Sequence, residues 1–85
     1  MSNSLLSNDV TNRKSFIKFL EAFHQDLIDN GSKWENKTLE DFLEALSRYA
    51  NDIQGYYDNK KENTNADVAT WKVFSDMLQG AKVYE

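Results

Sequence analysis

Glu21 and His24 are the residues whose types and spacing come nearest to a catalytic pair. They stand three apart in a stretch that reads as helix, so a carboxylate and an imidazole project toward one side. Metal sites of that kind in helical bundles need two Glu-x-x-His pairs and two further carboxylates, and this chain has a single histidine and no cysteine. Only a homodimer would supply the second copy. On a helical wheel, moreover, His24 lies inside the apolar arc and Glu21 just beyond its edge, so a hydrogen-bonded, half-buried histidine is the expected state. Glu40 with Glu44, and Glu44 with Arg48, are same-face neighbours that could do acid-base work. No glycine-rich phosphate loop, Gly-x-Ser-x-Gly or His-Glu-x-x-His accompanies them. The sequence therefore assigns no catalytic residue, no metal ligand and no cofactor, and the chain is expected not to be an enzyme. A metal- or ligand-dependent enzyme or binding protein centred on His24 and Glu21 is the alternative.

Lys33-Trp34-Glu35-Asn36 carries a large aromatic and an amide in a short link between helices. Two uses compete. Trp34 could plug the end of the bundle while Asn36 hydrogen-bonds the first turn of the next helix. Alternatively Trp34 anchors a partner, because Trp and Tyr dominate interface hot spots and Tyr49, Tyr56 and Tyr57 crowd the far end of the same helix. The candidate interaction residues are Trp34, Glu35, Asn36, Glu40, Asp41, Glu44, Asp52, Tyr56 and Tyr57.

Charge bears on the class of partner. The 85 residues carry a net charge of −4, and residues 19–58 hold nine acids against three bases. Such a chain lacks the broad basic face of a nucleic-acid binder. It fits a protein-protein interaction module meeting an unknown, basic protein partner, in the manner of an immunity protein or antitoxin that inhibits a nuclease, because complementary charge speeds encounter. The first residues have neither a basic segment nor a long apolar run, so no membrane contact and a cytoplasmic location are expected, as monomer or homodimer.

The elements that must position these residues follow from apolar periodicity. With 40% hydrophobic and 13% aromatic residues the chain can build one small core. The spacing predicts helices over 13–29, 39–57 and 68–82, with a loop over 58–67 and a flexible tail over 1–11 ahead of a single helical domain, 12–85. Asn12 and Thr38 are the expected N-caps of the first two helices, and either Asp67 or Thr70 that of the third. Asn30-Gly31 is the expected stop of the first, since both residues tolerate a left-handed backbone. No stretch alternates with period two for more than a few residues, so the fold class is all-α, a small three-helix domain.

Taken in order, Val10 to Phe16, Phe19-Leu20, Asp26-Leu27, Trp34-Glu35-Asn36, Leu39, Phe42 to Leu46, Gly55-Tyr56-Tyr57, Trp71 and Ala81 to Glu85 resemble a small bacterial family of unknown function. Asn12, Lys14 and Gly80 depart from its pattern. The resemblance implies a compact bacterial cytoplasmic domain and carries no activity, cofactor or site residue. A shorter stretch, residues 34–46, is similar to barstar-like inhibitors, which also place an aromatic and an Asn ahead of a leucine-rich acidic helix.

Overall fold

A computed structural model of the protein describes residues 9–85; the remainder of the expected tail, residues 1–8, lies outside the described residues. Three helices follow one another, α1 (Arg13–Asn30), α2 (Leu39–Asn59) and α3 (Trp71–Ala81), with a 3-10 turn, Gly31–Lys33, after α1. No strand occurs among the described residues.

Local chemistry explains the boundaries. The Asn12 side chain accepts from Ser15 N at 2.8 Å, while Asn12 N donates to Ser15 Oγ at 3.0 Å, a reciprocal capping box that satisfies donors the helix leaves open. Thr38 caps α2 by accepting from Asp41 N, and Glu40 and Asp41 occupy the first turn, where the helix dipole favours acids. The first helix does not end on a left-handed residue. Gly31 keeps a right-handed φ of −57°, and the chain tightens into the 3-10 turn, closed by Trp34 N donating to Gly31 O. The third helix starts at Trp71 rather than at 68. Asn65 turns the chain by accepting from Asp67 N and Val68 N, and Thr70, in extended conformation, caps by accepting from Val73 N.

α2 runs on through Gly55 to Asn59, two residues past its expected end. It closes with Glu62 N bonded to Tyr57 O and Lys61 N to Asp58 O, the Schellman pattern, which needs a left-handed residue; Lys61 supplies it at φ 58°. Beyond it, the connection to α3 is held down from α2 by Gln54, whose amide donates to Thr64 O and accepts from Ala66 N.

α3 packs against both α1 and α2, and these two meet at Phe23 and Phe42, whose rings are 6.0 Å apart. Two apolar clusters result. The first joins Val10, Phe19, Phe23 and Trp34, with Phe16, Leu27, Phe42 and Leu78 packed against it. The second joins Tyr49, Ile53 and Tyr57, with Ala66, Met77 and Tyr84 against it. Val10 is 4% exposed, so the chain is fixed before residue 12 and the expected tail does not extend through residue 11. No helix among the described residues is long and apolar enough to cross a membrane.

Candidate interaction surface

Trp34 lies in the first cluster at 6% exposure, its ring 4.9 Å from Phe23 and 6.2 Å from Phe42. Its indole N–H would be costly to bury alone, and it donates to Asp26 Oδ2 at 2.8 Å. The same oxygen takes Lys82 Nζ at 3.2 Å, and Asn30 donates to Asp26 Oδ1. Burial pushes the Asp26 pKa up, but the hydrogen bonds from Trp34, Asn30 and Lys82 and the Lys82 charge outweigh it and hold the carboxyl below 3.8. Trp34 is thus the floor of a structure, not a projecting anchor.

Asn36 does not bond the start of α2. Its side chain donates to Ala81 O and Tyr84 O, and its backbone N to Lys82 O. Arg48 donates to Glu85 O at 2.8 Å, and Tyr84 donates to Asp52. The last four residues are therefore laced between the linker and α2. Asn36, Asp52 and Tyr84 act as fasteners, and nothing within the local sequence of Asn36 signals partners more than 40 residues away.

The remaining acids of the predicted surface do come together. Glu35, Glu40, Asp41 and Glu44 are all exposed at the start of α2. Beside them an apolar pocket of about 330 Å³ opens above Trp34, lined by Phe23, His24, Leu27, Leu39 and Phe42, with Asn36, Lys37 and Thr38 at its rim. Leu39 and Leu43 are 74% and 53% exposed. His24 is exposed rather than half-buried, and it forms one wall of this pocket. Among the described residues no three His, Cys, Asp or Glu side chains come together to hold a metal ion, and Glu21 does not join the pocket.

The tyrosines sit elsewhere, in a cleft of about 530 Å³ between the end of α2 and α3. Tyr57, 1% exposed, donates to Asp76 at 2.5 Å, and burial followed by that bond raises its pKa; burial pushes the Tyr49 phenol up to about 12. Tyr56 is exposed and accepts from Lys60 Nζ at 3.2 Å. Gln79 Oε1 is buried there without a hydrogen-bond partner. Gly80, which departs from the family pattern, is a point of close approach: a Cβ on it would come within 2.2 Å of the Tyr49 ring, so its missing side chain is what lets the ring lie on α3.

The structure thus separates the nine predicted residues into four exposed acids beside a pocket, a set that holds the fold (buried Trp34 and Tyr57 with half-buried Asn36), and Asp52 with Tyr56 farther along α2. No curated protein and no solved structure matches the chain. A family of unknown function, DUF7660, matches residues 12–85, and the chain belongs to that family.

Proposed function

We propose that the protein is a non-enzymatic protein-protein interaction module that docks a basic protein surface at the start of α2, as an immunity protein or antitoxin docks its target. The observation that carries this reading is the juxtaposition of exposed Leu39 and Leu43 with Glu40, Asp41 and Glu44 at the edge of an apolar pocket. A contiguous apolar patch with a polar rim marks an interaction site, and apolar anchors edged by charge match the anatomy of an interface. The charges there set encounter, and the pocket sets residence.

Affinity capture from cells that carry the gene, at low salt, should retain a basic protein that high salt releases. With that partner purified, stopped-flow mixing across salt concentrations should show Glu40→Lys with Glu44→Lys slowing association and reducing its salt dependence, and Leu39→Ala speeding dissociation. Identical rates for wild type and both variants would remove this surface from consideration.

A further inference from the structure

The corner after α1 holds the chain's only asparagine followed by glycine, Asn30-Gly31. The backbone there does not require glycine. Gly31 keeps a right-handed φ of −57°, and a Cβ on it would make one ordinary contact, 3.5 Å from Leu27 Cδ1, whereas a Cβ on Gly80 would strike the Tyr49 ring. What the missing Cβ of Gly31 does leave is an unhindered backbone nitrogen beside a side-chain amide. A pair of that kind can cyclise, the nitrogen attacking Asn30 Cγ to close a five-membered imide.

The fold restrains this reaction in two ways. At ψ 23° the Gly31 nitrogen stands almost eclipsed with the nitrogen of Asn30, and so points away from the side chain, while ring closure needs it on the Cβ side. The amide is also engaged, Asn30 Nδ2 donating to Asp26 Oδ1 at 2.9 Å. Against these restraints, Asn30 is exposed and is the last residue of α1, and helix ends open at the lowest cost.

The product would meet Asp26. That carboxylate receives Trp34 Nε1 and Lys82 Nζ on Oδ2 and Asn30 on Oδ1. A carboxylate in place of the Asn30 amide brings no donor and sets a like charge one helical turn from Asp26.

We infer that Asn30-Gly31 is a self-modification site, converted by water to aspartate or isoaspartate when the end of α1 opens, and that the new carboxylate loosens the hold of Asp26 on Trp34 and Lys82. As the bond from Gly31 N to Asn30 Cγ forms, the bond from Cγ to Nδ2 breaks, and the side-chain nitrogen leaves as ammonia with the proton given up by Gly31 N. One water then splits the imide, at Cγ to give aspartate or at the main-chain carbonyl carbon to give isoaspartate. The site stands independently of any partner docked above Trp34.

Peptide mass mapping of the full chain, held in mildly alkaline buffer both folded and in denaturant, tests the site. In denaturant Asn30 should convert ahead of every other asparagine, and Gly31→Ala should slow it about tenfold. Folding should slow wild-type conversion by about ten- to a hundredfold, the cost of opening a helix end. Gly31→Ala converting at the wild-type rate, folded and denatured chains converting alike, or a folded chain whose Asn30 stays intact each overturn the inference. Thermal unfolding tests the product, with far-UV circular dichroism confirming that each variant is folded. Asn30→Asp should lower the midpoint by a few degrees more than Asn30→Ala. In an Asp26→Asn background that excess should fall to about half or less, because the neutral side chain removes the repulsion and leaves only the effect of a negative charge at a helix end. An excess that is absent, or that Asp26→Asn leaves intact, overturns the loosening of Asp26.

Discussion

The two ends of the molecule solve the same packing problem with different aromatics. Around Trp34 the rings are Phe16, Phe19, Phe23 and Phe42, and the single polar handle is the indole N–H held by Asp26. Around Tyr57 the hydroxyls are held by carboxylates, Tyr57 by Asp76 and Tyr84 by Asp52, and the C-terminal residues fold over them. Phenyl rings position by shape and leave adjoining apolar surface with nothing to satisfy it. Tyrosines position by hydrogen bond, and each bond made inside the chain is one no partner needs to make. That contrast is why the open apolar pocket belongs to the Trp34 end, while the larger tyrosine cleft is already cross-braced.

The largest expected effect breaks the first end. Phe23 touches Phe19, Trp34 and Phe42, and Phe23→Ala should cost about 3 to 5 kcal/mol in denaturant unfolding. Leu46→Ala should cost clearly less, because that side chain is only half-buried. Equal losses would mean that Leu46 is covered in solution.

At the tyrosine end the corresponding disruption is addition. Gly80→Ala places a methyl 2.2 Å from the Tyr49 ring, which is hemmed by Tyr84 at 5.0 Å and Tyr56 at 6.1 Å. Overpacking of that kind costs about 1 to 3 kcal/mol, against which alanine's better helix propensity returns about 1 kcal/mol at most. A lowered thermal midpoint is expected, and an unchanged or raised one would show the ring free to move.

The two ends should also fail at opposite extremes of pH. Asp26 has a folded pKa below its ordinary 3.8, so its contribution is complete above that value and is lost as pH falls through the lower folded one. Asp26→Asn should therefore cost about 1 to 2 kcal/mol near neutrality, a cost that shrinks below pH 3.8. Tyr49, raised from 10 to about 12, works the other way: its contribution is complete below pH 10 and is lost as pH rises through 12. Near-UV circular dichroism should report the tyrosine end loosening first in alkali and the tryptophan end first in acid. Loss of both signals together at each extreme would show a single cooperative unit in place of two separable clusters.

How much of this was legible in the sequence depends on what each residue answers to. Caps answer to neighbours three residues away, and Asn12 and Thr38 were readable for that reason. The three helices answer to their own periodicity. What a wheel does not give is coverage: it marks the apolar side of a helix, and neighbours decide how much of that side is buried. α1 and α2 flank α3 without closing over it, so His24, Leu20 and Leu39 stay open although each lies within an apolar arc. Trp34 as core was one of two readings the sequence allowed. The bonds from Asn36 to Ala81 and Tyr84, and the contact that requires Gly80, join distant segments and leave no local trace.

The smallest effect sharpens the comparison where the tyrosine end is least well made. Lys61 sits at φ 58°, the left-handed region that costs a residue with a Cβ roughly 1 to 2 kcal/mol, and it does so because the Schellman bonds from Lys61 N and Glu62 N close α2 just after Tyr57. Glycine would remove that strain but adds freedom to the unfolded chain, which offsets part of the gain. Lys61→Gly should therefore stabilise by about 0.5 to 1 kcal/mol, read as a higher denaturant midpoint with an unchanged slope. Lys60→Ala, one residue earlier, should stay within about 0.5 kcal/mol, because Lys60 has an ordinary φ of −87° and only an exposed contact with Tyr56. A destabilising Lys61→Gly would mean that the lysine side chain holds the end of α2 by contacts stronger than the strain of its backbone.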